Sequence, residues 1–204
     1  MTRRLIVNAD DYGITRGVSE GILAAHRHGI VTSTTVLVTG DIAPDLVARA
    51  RECGLGLGVH VNLTLGSPLT RGRSLVDAGG RFVRDPRRAA AAADATEVRA
   101  EVEAQLDRFG KLFKRAPTHL DSHHHVGLYA PVRDVVLDVA RARGLAVRSQ
   151  DATARARAQR RPQDARPLLR RVGPRRVLVR GAHVRASARA AGRRVGVHDA
   201  PRLV

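Results

Sequence analysis

The chain lacks most of what would build a stapled, membrane-spanning or nucleic-acid-stacking protein. A single cysteine, Cys53, in 204 residues excludes an internal disulfide framework and a cysteine-rich zinc module. A lone thiol fits a reducing compartment, the cytoplasm by default. Aromatic residues make up 2% of the chain and Trp is absent, which argues against a base-stacking nucleic-acid module. No apolar run approaches the roughly 18 residues of a membrane span, and Leu5-Ile6-Val7 meets the polar Asn8 too soon for the apolar segment of a signal peptide. Acidic residues are also scarce, 19 Asp plus Glu against 36 Lys plus Arg, for a formal net charge of +17. The length suits one domain with a sizeable core.

That charge is unevenly spread. Residues 1–150 hold 21 basic and 16 acidic residues, a net of +5 that is ordinary for an enzyme. Residues 151–204 hold 15 Arg and three Asp, a net of +12, and contain no Ile, Phe, Tyr, Met, Glu or Lys. Three readings of this Arg/Ala-rich tail stay open: a GC-rich gene read out of frame, a folded but divergent end, or a basic arm for acidic polymers. Translating the other two frames of the same nucleotides separates the first from the rest.

Patterning places the elements. Leu5 to Ala9 reads as a buried parallel strand that emerges at Asp10-Asp11-Tyr12-Gly13. A helix over Thr15–His28 ends at Gly29, Val31–Val38 is a second strand, Asp41–Cys53 a helix with Pro44 in its first turn, and Leu57–Leu63 a third strand. This β-α-β-α-β order implies parallel strands with crossover helices, an α/β fold. Gly66–Asp85 reads as a long loop of the kind that forms lids. Val98, Val102, Leu106, Phe109 and Phe113 mark an amphipathic helix over Thr96–Phe113. A fourth strand starts at Pro117, a helix covers Pro131–Arg143, and Leu145–Arg148 opens a further strand.

Three polar clusters sit at strand ends, where parallel α/β folds place their sites: Asn8 to Asp11, His60 to Thr64, and His119 to His125. Strand alternation puts His119, Asp121, His123 and His125 on one face of the fourth strand, and His60, Asn62 and Thr64 on one face of the third. Donors converging from separate strands suit a divalent metal. The pattern favours Asp11, His60 and His123 as ligands, Asp10 as a general base, and Asp121 or His125 as groups supporting the ligands. Metal-assisted hydrolysis fits this set; oxygen chemistry on iron and phosphate transfer also fit the residues alone.

Together, LIVNADDYG (Leu5–Gly13), GIVTSTTVLV (Gly29–Val38), GVHVNLTL (Gly58–Leu65) and PTHLDSHHHV (Pro117–Val126) resemble the YdjC-like carbohydrate deacetylases, in order, over about residues 3–148. That family includes chitooligosaccharide deacetylases and relatives associated with hopanoid biosynthesis. The resemblance implies a distorted (β/α) barrel of the polysaccharide-deacetylase type and metal-dependent hydrolysis of an N-acetyl group on an amino sugar. It also implies Asp11, His60 and His123 as ligands and Asp10 as base. Asn62, Thr64, Asp121, His125 and Arg148 are then expected beside the ligands or facing the substrate. Magnesium is the family's usual ion; two imidazoles keep zinc open. A homodimer is compatible with this reading, and no membrane partner is expected.

Two departures from the family pattern stand out. Gly127 follows Val126 where a histidine is usual, and no late Cys-His-Pro segment is present, so His183 and His198 are unassigned. The barrel is therefore expected to be incomplete at its C-terminal end. The competing readings are an inactive family remnant that keeps a metal site, and a different metal-dependent hydrolase on the same scaffold.

Overall fold

The computed structural model describes residues 5–148 and the backbone of Leu178–Val179. The expectations for the Arg-rich tail as a separate or out-of-frame unit lie outside these residues.

β-branched and small residues dominate the strands. After β1 (Leu5–Ile6) come β2 (Asn8–Tyr12), β3 (Ser33–Val36), β4 (Gly56–Val61), β5 (His119–Ser122) and β6 (Ala146–Val147). β2 to β6 form a parallel sheet in sequential order. Such order requires a crossover between each pair. α1 (Arg16–His28), α2 (Pro44–Glu52) and α5 (Val132–Arg143) each supply one, and α3 (Pro86–Ala92) with α4 (Ala95–Phe113) supplies the fourth. The parallel α/β class is thus observed. Among the described residues the sheet stays open, with β2 and β6 at its ends, as an incomplete and distorted barrel requires. β1 pairs in parallel with β7 (Leu178–Val179).

Local chemistry sets the boundaries. Thr15 caps α1 by accepting from the Val18 N–H, and Asp94 caps α4 by accepting from the Thr96 and Glu97 N–H groups. Gly144 ends α5 in the left-handed region at φ 65°, where a Cβ is disfavoured. Val98, Val102, Leu106, Phe109 and Phe113 all point inward from α4, against strand residues such as Leu57, Val59 and Leu120. No helix of the described residues is long and apolar enough to cross a membrane.

Three expectations need correction. Asn8 to Tyr12 is itself a strand of the main sheet, where the pattern placed the carboxylates in a loop beyond it. Pro86–Ala92 is a helix capped by Asp85, a stretch for which no element was foreseen. The strand alternation expected through His125 stops at Ser122. His123–Leu128 turns into a 3-10 segment in which His124 and His125 take left-handed backbones, at φ 51° and 56°. His123 is consequently buried, while His124 and His125 face outward.

Candidate metal centre

Adjacent residues in a regular strand point to opposite faces, so Asp10 and Asp11 should part company. They do not, because β2 carries a bulge. Ala9 pairs with Thr34 and Tyr12 with Val36, so three steps along β2 match two along β3, and Asp11 absorbs the difference in the left-handed region at φ 71°. Strain of this kind in a non-glycine residue is a feature of functional sites. The bulge aims both carboxylates into one cluster.

The rest of the cluster comes from neighbouring strands. His60 on β4 and Asp121 on β5 are directly paired in register, and His123 follows immediately after β5, as the first residue of the 3-10 segment. Asp11 Oδ1 lies 3.3 Å from His60 Nε2 and 3.0 Å from His123 Nδ1. Donor atoms of Asp11, His60 and His123 all fall within 4.8 Å of one another. Ligands about 2.1 Å from a common ion are spaced roughly 3.0 Å apart in an octahedron and 3.4 Å in a tetrahedron. The observed edges match this range, and the chemistry of two imidazoles with one carboxylate is a ligand set for a divalent cation. The residues fit such an ion. Behind His60, Nδ1 sits 3.8 Å from Asp121 Oδ2, beyond hydrogen-bond length but on the side of the ring from which a carboxylate would orient a metal ligand. This nitrogen and Nε2 of His123 are buried and have no hydrogen-bond partner.

The electrostatics favour a charged carboxylate facing the rings. Burial pushes the Asp11 carboxyl up, but hydrogen bonding and charge from His123 and His60 outweigh it and hold the group well below the usual carboxylate range. Beside it, Arg148 Nη1 donates to Asp10 Oδ1 at 2.7 Å and to Asp121 Oδ2 at 2.6 Å. Burial lowers the Arg148 guanidinium, and the Asp121 and Asp10 carboxylates more than offset that. Asn8 Nδ2 and the Thr35 hydroxyl also donate to Asp10 Oδ1, at 2.7 and 3.3 Å.

The remaining residues singled out from sequence divide. Asp121 and Arg148 join the cluster. Asn62 is buried and its amide is taken up within the chain: Oδ1 accepts from Thr64 N–H and Leu65 N–H, and Nδ2 donates to Thr39 Oγ1 and Leu65 O. Thr64 is buried with a hydroxyl that has no hydrogen-bond partner. His125 lies on the outward side of the turn and outside the group of converging ligand atoms. His124, equally outside it, lays its ring 3.9 Å from that of His123. Sequence reasoning missed Glu101 and Gln105, two fully buried polar residues on α4. Their signal was present: both lie on the helix face that carries Val98, Val102 and Leu106, where an apolar side chain is the default.

With this geometry in place, comparison with known proteins decides the kinship. The family described as YdjC-like protein matches residues 4–200. The chain belongs to the YdjC-like family. Chitooligosaccharide deacetylases are among the relatives of this YdjC-like chain. That of Citrobacter koseri is 43% identical over 155 residues, and that of Serratia marcescens 41% over 151. Each alignment covers 72% of this chain and 60% of the relative, so the chain spans about 60% of the length of the curated relatives it matches. A crystal structure from Enterococcus faecalis, of a protein named for cellobiose-phosphate cleavage, superposes with a TM-score of 0.71 at 36% identity, covering 78% of this chain and 64% of that one.

Proposed function

We propose that this chain is a metal-dependent N-deacetylase of acetylated amino sugars, of the chitooligosaccharide kind, in which Asp11, His60 and His123 hold the ion and Asp10 is the base. The observation that carries the reading is the bulge in β2. It sets one carboxylate between two imidazoles and leaves its neighbour, Asp10, beside them with a different set of partners. The 40–43% identity to chitooligosaccharide deacetylases supports the substrate class. When bound, a divalent ion supplies Lewis-acid polarisation of a carbonyl oxygen and lowers the pKa of coordinated water from 15.7 toward about 7.

The chain's own residues account for the proton. Arg148, Asn8 and Thr35 all bind Oδ1 of Asp10, which orients the carboxylate and leaves Oδ2 to take a proton from the attacking water. The water oxygen adds to the amide carbon, the C–N bond breaks, and the proton carried by Asp10 passes to the leaving nitrogen, giving a free amine and acetic acid, which ionises to acetate. Asp121, shared between Arg148 and the rear of His60, couples the orientation of the base to that of the ligand.

Magnesium is the ion the family implies, and the two imidazoles favour zinc or another transition metal over it. Cytoplasmic residence, which the single cysteine favours, belongs to this reading. The parallel pairing of Leu178–Val179 with Leu5–Ile6, in a two-stranded sheet of its own, and the family match through residue 200 support the reading of the tail as a folded but divergent end over the out-of-frame one.

The test is acetate release from a diacetylated chitin dimer by chelator-stripped protein with Mg2+ or Zn2+ restored. Asp10→Asn should abolish turnover while the ion is retained, and His60→Ala should lose both. Acetate release that survives chelation, or that Asp10→Asn leaves intact, contradicts the reading.

A further inference from the structure

The apolar stripe of α4 is interrupted by two polar side chains that the proposed chemistry leaves unused. Glu101 and Gln105 are one turn apart and both 0% exposed. The donors that reach Glu101 are neutral: the Leu69 N–H at 3.0 and 3.1 Å, the Thr70 N–H at 2.9 Å, the Thr70 hydroxyl at 2.8 Å and Gln105 Nε2 at 2.9 Å. Desolvating a carboxyl is costly, and here the donors come from the chain beyond β4, whose Leu69 and Thr70 N–H groups an apolar side chain would leave without this acceptor.

Gln105 connects this buried group to the site. Its Nε2 donates to Asn62 O at 2.7 Å and its Oε1 accepts from Asn62 N–H at 2.9 Å. The amide pairs with the Asn62 backbone as an added strand would. Asn62 stands two residues past His60, where β4 has just ended at Val61 and its ladder no longer holds the chain. Glu101 only accepts, so it requires the NH2 end of Gln105 on its own side. That orientation is the one that matches Asn62. One turn earlier, Glu97 accepts from the Ser74 N–H and hydroxyl at 2.7 and 2.6 Å, so this face of α4 holds the chain leaving β4 at three successive turns.

Resting on the metal centre proposed above, we infer that Gln105 and Glu101 are positioning residues for His60. Gln105 clamps the backbone just beyond the ring, and Glu101 fixes the clamp's orientation.

The experiment titrates the chelator-stripped full chain with Zn2+ by calorimetry and measures thermal unfolding in parallel, for wild type, Gln105→Leu, Glu101→Gln and the packing control Leu106→Ala. Loss of a group that orients a ligand costs roughly 10- to 100-fold in metal affinity, and Gln105→Leu should fall in that range. Glu101→Gln keeps the volume and should weaken binding several-fold, which provides a second arm if Gln105→Leu does not fold. Leu106→Ala, buried on the same helix, should lower the unfolding midpoint and leave affinity unchanged. Wild-type affinity in both polar variants overturns the inference, as does an affinity loss in Leu106→Ala that matches theirs at equal destabilisation. A wild-type chain that binds no ion overturns the metal centre itself, and this inference with it.

Discussion

Replacing Arg148 with Gln removes the guanidinium that the structure places between Asp10 and Asp121. Its side chain is 10% exposed, and a single nitrogen bridges the two carboxylates at 2.7 and 2.6 Å. Deleting one partner from a buried ionic group costs about 3–5 kcal/mol because the opposite charge stays behind. Asp121 is 1% exposed but Asp10 is 21% exposed, so solvent relieves part of the penalty and about 3 kcal/mol is expected at pH 8. Urea unfolding of wild type and variant at pH 8 measures the deficit. A deficit under about 1 kcal/mol would refute the reasoning, since the pairing energies it rests on are several-fold larger.

Two further perturbations test the sheet behind the site. A Cβ added at Gly58 on β4 would lie 2.6 Å from the His119 ring, so Gly58→Ala should destabilise by about 1–3 kcal/mol through overpacking. The companion change His119→Ala should relieve most of that loss in a double-mutant cycle of unfolding free energies. Burial, only partly offset by Asp121, pushes the His119 imidazole down to about 4 from 6.5. The unfolded chain then takes up this proton first as pH falls, so stability should drop by up to about 3 kcal/mol between roughly pH 6.5 and 4 and stay flat above that window. His119→Gln should flatten this slope in unfolding curves recorded at pH 7 and pH 5, and an unchanged slope would show that the ring is not the group responsible.

Much of the fold was legible because the strands and helices follow simple periods. The apolar runs at Leu57 to Val61 and the spacing from Val98 to Phe113 each admit one assignment, and Gly29, Gly54 and Gly144 sit where helices give way to turns. Asp11, His60 and His123 could be read as one group because parallel topology brings the ends of β2, β4 and β5 together. What stayed hidden depends on departures from periodicity. A bulge is a change of pairing register, and nothing in Asn8-Ala9-Asp10-Asp11-Tyr12 announces that Asp11 takes a left-handed backbone. The turn at His123 was obscured for a related reason, since alternation extended past Ser122 predicts a shared face that the left-handed His124 and His125 abolish. Asn62 looked like a group facing substrate because it shares a strand face with His60, but its amide closes a turn through Thr64 and Leu65. Glu101 and Gln105 were passed over because apolar periodicity registers where hydrophobic residues recur and is silent about a polar residue buried among them.

The proposed chemistry depends above all on one ion held by Asp11, His60 and His123, and elemental analysis of the reloaded chain tests this directly. Chelator-stripped protein dialysed against Zn2+ or Co2+ should retain one equivalent per chain. Asp11→Ala and His123→Ala should each reduce this to background while Asp10→Asn keeps it, because the second converging trio, Asp10 with His60 and Asp121, already holds the Arg148 guanidinium between its two carboxylates. Retention of a full equivalent by the folded Asp11→Ala and His123→Ala variants, or none by the wild type, would contradict the central claim.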